Sequence, residues 1–259
     1  MMKHVGPPHR PIAALGLVLA ATACSAATAP EAIDDALLTS AAIVAADATL
    51  EDISLWSQPF GFEPAPAPVA ATGRPGGLGG WSGELSGTRE VTFYDTDGVE
   101  QDGYDPLATD VIHILHEISG NIERDGWSAR VHRERDKTVS RLAGEEATRT
   151  WDGTGSEEVN GTRTSDDGVV RSHETIGTFT YEDVVVPIPG TEPRYPLSGT
   201  ITRSMTMTVS GPSGERTRSV EVIVTFNGSA IVTALVNGEE MEIDLSTRAG
   251  GFPIRRRRG

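Results

Sequence analysis

The chain is poor in the residues that most often disclose a function. Of its 259 residues one is cysteine, Cys24, so no intramolecular disulfide can form. Aromatic residues make up 5%, which implies a modest core for this length. Lysine occurs twice, as Lys3 and Lys137, and nearly every other base is arginine. The sequence holds no Gly-x-Ser-x-Gly nucleophile elbow, and its histidines beyond residue 23 are His113, His116, His132 and His173. Pairing one of many serines with one of these would be arbitrary, so no nucleophile is assigned and no enzyme is expected. Nor is there a long hydrophobic run. The longest apolar and small-residue stretch, Ile12 to Ala23, would span about 18 Å as a helix, against a hydrocarbon core of about 30 Å.

What is present at the N-terminus has the three parts of an export signal. Residues 1–11 carry Lys3 and Arg10 and no acid, the apolar run follows, and it ends at Ala21-Thr22-Ala23-Cys24-Ser25. A small residue immediately before a cysteine at the end of such a run resembles the lipobox of bacterial lipoproteins, although Leu is usual where this chain has Ala21. The resemblance covers residues 1–25. It implies cleavage before Cys24, lipid on its thiol, and anchorage in the bacterial cell envelope. Ser25 resembles the signal for outer-membrane sorting in a cell with two membranes. An acylated thiol also removes the liability of a lone free one in an oxidising compartment. The plainer alternative is an ordinary signal peptide with Cys24 incidental.

Two of the 22 bases and none of the 37 acids lie in residues 1–23, leaving a formal charge of −17 from residue 24 onward. That excess argues against nucleic acid as a partner. Residues 31–50 place Ile33, Leu37, Ala41 and Val44 at helical spacing behind an acidic first turn. The expectation is a helix whose apolar stripe covers the sheet or a membrane surface. Residues 57–80 alternate Pro with Ala and then turn to Gly, the composition of a linker.

From Trp81 to Arg248 the texture is β. Asp-Gly begins at 97, 102, 125, 152 and 167, and Asn-Gly at 160, 227 and 237. These pairs supply the positive φ angles of tight hairpins. The sequons Asn160-Gly-Thr162 and Asn227-Gly-Ser229 are likewise read as hairpin turns. Ile201, Arg203, Met205, Met207 and Val209 share one face of a strand; Val220, Val222, Val224 and Phe226 form another such row, and Met241, Ile243 and Leu245 a third. Between Arg130 and Ser172 both faces are polar, which suggests strands wet on both sides with cross-strand Arg–Glu pairs. The fold class expected is all-β: an antiparallel up-and-down meander of about eight to ten strands, a curved open sheet or partial barrel, with one N-terminal helix. The organisation expected is a signal peptide at 1–23, an anchor and helix at 24–56, the linker at 57–80, a β domain at 81–248 and a basic disordered tail at 249–259.

Three segments invite a site. Asp95, Asp97, Glu100, Asp102 and Asp105 offer five carboxylates in eleven residues, enough for Ca²⁺. They lack the spacing of an EF-hand loop, and two successive Asp-Gly turns explain them more simply. His113, His116 and Glu117 would share a face on a helix and suit zinc. On a strand, which the β-branched neighbours favour, His113 and His116 point apart. Arg255 to Arg258 form a basic run that suits anionic headgroups or merely a solvated end. The functional expectation is a non-catalytic envelope lipoprotein acting as a binding or scaffold module. The alternatives are a Ca²⁺-stabilised surface protein, or a lipid carrier whose concave face includes Met205, Met207, Val222 and Phe226.

Overall fold

The structure is a computed structural model that describes residues 30–56, 71–72, 82–124, 126–143, 147–165, 168–188, 191–192, 194–212, 214–246 and 254–256. Cys24 and the whole signal segment lie outside the described residues. One helix, α1 (Pro30–Trp56), precedes twelve strands: β1 (Ala71–Thr72), β2 (Ser82–Asp95), β3 (Glu100–Gln101), β4 (Thr109–Arg124), β5 (Trp127–Ser140), β6 (Thr148–Thr164), β7 (Val170–Pro187), β8 (Ser198–Gly211), β9 (Gly214–Thr225), β10 (Ile231–Val236), β11 (Glu239–Asp244) and β12 (Ile254–Arg256). They form one antiparallel open sheet in meander order from β1 to β12, with β3 pairing β2 off that path.

Several hairpins follow the sequence rule. Asn237 and Gly238 both take positive φ, 49° and 83°, and join β10 to β11 with no intervening residue beyond that pair. Asp152-Gly153 and Asn160-Gly161 depart from it. Both lie inside the 17-residue β6 and turn nothing. Gly153 instead sits where the register with β7 shifts between Trp151 and Gly153, and the Asp152 carboxylate accepts the N–H of Asp183 at 2.8 Å. A second shift, between Glu182 and Val185, follows in β7 against β8. Paired irregularities of this kind bend long strands.

The bend matters because the sheet curls around α1. Every residue of α1 from Ser40 to Leu50 is buried. The amphipathic stripe expected for this helix is therefore too narrow a description: buried residues fall on every side of it, Ser40, Asp47 and Thr49 among them. Alternate residues of the strands supply the facing wall, including Ile112, Val159, Ile201, Met207, Val222 and Ile243. Met205, Met207, Val222 and Phe226, the face expected to be concave and open to a ligand, are all packed in this core. The sheet also reaches beyond residues 81–248. Ala71 pairs with Leu85 inside the stretch read as linker, and in the stretch read as a disordered tail Ile254 and Arg256 pair with Ile243 and Met241.

Candidate functional site

Three inward rows run across the middle of the sheet. Ladder pairing aligns His116, Arg135, Gly155, Phe179, Arg203 and Val222 in one row. The row on one side holds Arg133, Glu157, Gly177 and Met205; the row on the other holds Lys137, Gly153, Tyr181 and Ile201. The glycines make room. A Cβ on Gly155 would stand 2.3 Å from Phe179 Cζ and 2.3 Å from the Glu134 carbonyl oxygen. With that space clear, the Phe179 ring lies beneath two guanidiniums, Arg203 Cζ at 4.7 Å and Arg135 Cζ at 5.9 Å from its centroid.

The last turn of α1 brings Glu51 and Asp52 onto these rows. Asp52, fully buried, accepts from Arg135 Nε at 2.8 Å, from the Tyr181 hydroxyl at 2.8 Å and from Arg203 Nη2 at 3.2 Å. Glu51 accepts from Arg133 Nη1 and meets Arg135 Nη2 at 3.1 Å, off the hydrogen-bonding axis. Glu157 accepts from Arg133 Nε at 3.3 Å and Arg203 Nη1 at 3.2 Å. Below this network Lys137 Nζ lies 5.4 Å from the centre of the Trp151 ring. Trp56, one helical turn beyond Asp52, packs on Trp151, Tyr181 and Phe226 with ring centres 5.8, 5.8 and 6.2 Å away.

The electrostatics follow from burial plus charge. Burial pushes the Asp52 carboxyl up, and Arg135 with Arg203 more than reverses it, so the group is held below its usual range. The same contest, with Arg135 and Arg133, lowers Glu51. Burial and then the nearby Arg135 cation bring Lys137 down to about 7. Burial, with Lys137 and Arg135 adding, takes His116 down to about 3. Burial and Asp52 raise the Tyr181 hydroxyl, keeping it a donor.

Three buried arginines thus meet three carboxylates, with the buried Lys137 beside them. Satisfaction is incomplete: Glu51 Oε1, Glu157 Oε1, Arg203 Nε and both terminal nitrogens of Arg135 are buried without a hydrogen-bond partner. Each such atom costs about 1–3 kcal/mol. A buried network of this kind adds little net stability over well-packed apolar side chains, although removing one partner is costly.

The expectation of strands wet on both sides between Arg130 and Ser172 is overturned here. Arg133, Arg135, Lys137 and Glu157 face inward and are buried, because α1 covers them with carboxylates from more than 80 residues away. Sequence reasoning missed this whole set. The available signal was parity: Trp127, Ala129, Val131 and Val139 share a face of β5 with Arg133, Arg135 and Lys137.

The other candidate residues fall elsewhere. In the Asp95–Asp105 segment, Asp95 Oδ1 accepts the N–H groups of Asp97 and Val99, and Asp105 Oδ1 accepts that of Leu107. Asp97, Glu100 and Asp102 are exposed. Among the described residues no group of three or more His, Cys, Asp or Glu is placed to hold a metal. His113 and His116 lie on opposite faces of β4, as strand geometry requires: His113 pairs with Asp136 on the outer face at 2.6 Å, and His116 turns inward beside Arg135.

The outer face carries an open groove of about 870 Å³ across β2, β4, β5, β6 and β7, with Glu90, Glu117, Glu134 and Asp136 among its walls. Beside it Ser119 Oγ lies 2.8 Å from His132 Nδ1, and His132 Nε2 lies 3.6 Å from Glu134. Ser119 and His132 are direct cross-strand neighbours, and the imidazole is 40% exposed. The three side chains lie on a solvated sheet surface, where cross-strand pairing and same-face spacing alone account for their contacts.

No protein family, curated protein or solved structure matches this chain.

Proposed function

We propose that the protein is a lipid-anchored module of the bacterial cell envelope that binds or braces a partner and performs no catalysis. The observation that carries this reading is the filled interior: the curled sheet encloses the chain's own helix, with buried charges keyed to it. The sequence of residues 1–25, with its lipobox-like end at Cys24, supports the address. Among the described residues no helix is long and apolar enough to cross a membrane, so attachment in this reading rests on the Cys24 lipid.

Anchorage at Cys24 has a geometric consequence. Five residues separate Cys24 from the start of α1 at Pro30. Fully extended, that length reaches about 20 Å. The β shell then sits against the bilayer with the N-terminal end of α1 toward it, and residues 57–80 take no part in the spacing. Mass spectrometry of the membrane fraction is expected to find a mature N-terminus at Cys24 carrying diacylglycerol. A soluble mature chain beginning at any other residue would refute the reading.

A further inference from the structure

We propose that the space α1 occupies is a binding site for a single-chain anionic amphiphile, such as a fatty carboxylate or an alkyl phosphate, with α1 as its resident plug. Three observations converge on it. The first is enclosure: Ser40 to Leu50 are all buried, and α1 lies in the concavity of the curled open sheet. The second is composition. Ala41, Ala42, Ala45, Ala46 and Ala48 are five of the eleven residues from Ser40 to Leu50, so the apolar area that holds the helix is concentrated in Leu37, Ile43, Val44, Leu50 and Trp56. The third is the receptor at the inner end.

That receptor belongs to the shell. Arg133, Arg135, Lys137 and Arg203 project from β5 and β8 with only Glu157 of the shell among them, and Glu51 and Asp52 of α1 supply the remaining negative charge. The fit leaves Arg203 Nε and Arg135 Nη1 buried without acceptors, and Arg135 Nη2 in an ion pair with Glu51 that lies off the hydrogen-bonding axis. A carboxylate or phosphate head presents its oxygens to several guanidinium donors at once. Its tail would follow the path of α1 past Met205, Met207 and Val222. From Leu37 to Glu51 that path is about 21 Å long, and one leaflet of a bilayer, half of a hydrocarbon core of roughly 30 Å, is shorter than this. The inference goes beyond the anchored-module reading and uses it only for the source of the amphiphile, the adjoining bilayer.

Hydrogen exchange followed by mass spectrometry on the full purified chain tests it, with palmitate, hexadecyl phosphate and hexadecanol as probes below their aggregation concentrations. Palmitate or hexadecyl phosphate is expected to speed exchange of residues 40–53 at least tenfold while β6, β7 and β8 stay protected. Hexadecanol, with no charge, is expected to do neither. The E51Q/D52N variant is expected to show the same selective loss with no ligand. If that variant fails to fold, the wild-type arms still decide. Exchange of residues 40–53 in step with β6–β8 under every condition would overturn the proposal, and so would palmitate binding that leaves the helix protected. Acylation of Cys24 has no bearing on these outcomes, so failure of the anchor and failure of the plug are separable.

Discussion

Asp52→Asn probes the centre of the molecule most directly. The wild-type carboxylate receives three hydrogen bonds, from Arg135, Tyr181 and Arg203, at 2.8, 2.8 and 3.2 Å, with no solvent exposure. Asparagine keeps one acceptor, loses the charge, and turns an amide toward two guanidiniums. Breaking a buried ion network by removing one partner costs about 3–5 kcal/mol, because the remaining charges stay buried without compensation. That is a large fraction of a typical total of about 5–15 kcal/mol. Urea unfolding followed by fluorescence of the buried Trp56 and Trp151 measures it. With a slope of about 2 kcal/mol/M, a loss of 4 kcal/mol lowers the midpoint by about 2 M.

The network also predicts non-additivity. Arg203→Met removes a cation that Asp52 and Glu157 share, and the D52N/R203M pair removes both charges from a site lined by Phe179 and Ile201. The double variant is expected to lose about 1–3 kcal/mol less than the sum of the single ones. A cost below about 1 kcal/mol for Asp52→Asn, or additivity within about 0.5 kcal/mol, would refute the claim that these charges are buried and coupled.

Lys137 sets a pH dependence. Its folded value is about 7 against 10.5 for the free side chain, so from pH 7 to 10.5 the unfolded chain binds a proton that the folded chain has released. Stability therefore rises with pH across that window, by at most about 1.4 kcal/mol for each unit of the shift. Lys137→Met is expected to abolish the rise and to be more stable than wild type at pH 6; urea midpoints at pH 6 and 9.5 for both proteins check it, and parallel profiles would contradict it. Gly155→Ala drives a Cβ to 2.3 Å from both Phe179 Cζ and the Glu134 carbonyl oxygen. Overpacking of this kind costs about 1–3 kcal/mol. Calorimetry should show a lower Tm, partly restored by adding Phe179→Leu, and an unchanged Tm would show that the Phe179 ring does not press on this backbone.

Much of the fold is legible along the chain. The meander and the inward rows of β8, β9 and β11 follow from period-two alternation, and the Asn237-Gly238 hairpin follows from the two positive φ angles it needs. The helix follows from spacing and an acidic first turn. Local chemistry decides these features, so local sequence reports them.

Burial of charge is a different matter. In β5 the alternation is between Arg133, Arg135, Lys137 on one face and His132, Glu134, Asp136 on the other. Trp127, Ala129, Val131 and Val139 share the face of Arg133, Arg135 and Lys137, so period-two alternation marks that face as the inner one. Only the arrival of Glu51 and Asp52 supplies the negative charge that lets the cations stay there. Likewise Asp152-Gly153 and Asn160-Gly161 carry hairpin chemistry yet run straight through β6, because the ladders to β5 and β7 continue past them. The sequence by itself determined the long strands, their meander order and the presence of one helix, since those depend on neighbours along the chain. The tertiary structure alone decided the short strands β1 and β12, the position of the helix inside the sheet, and the pairing of its two carboxylates with three buried arginines. A charge is stable in a core only through partners whose distance in sequence is arbitrary.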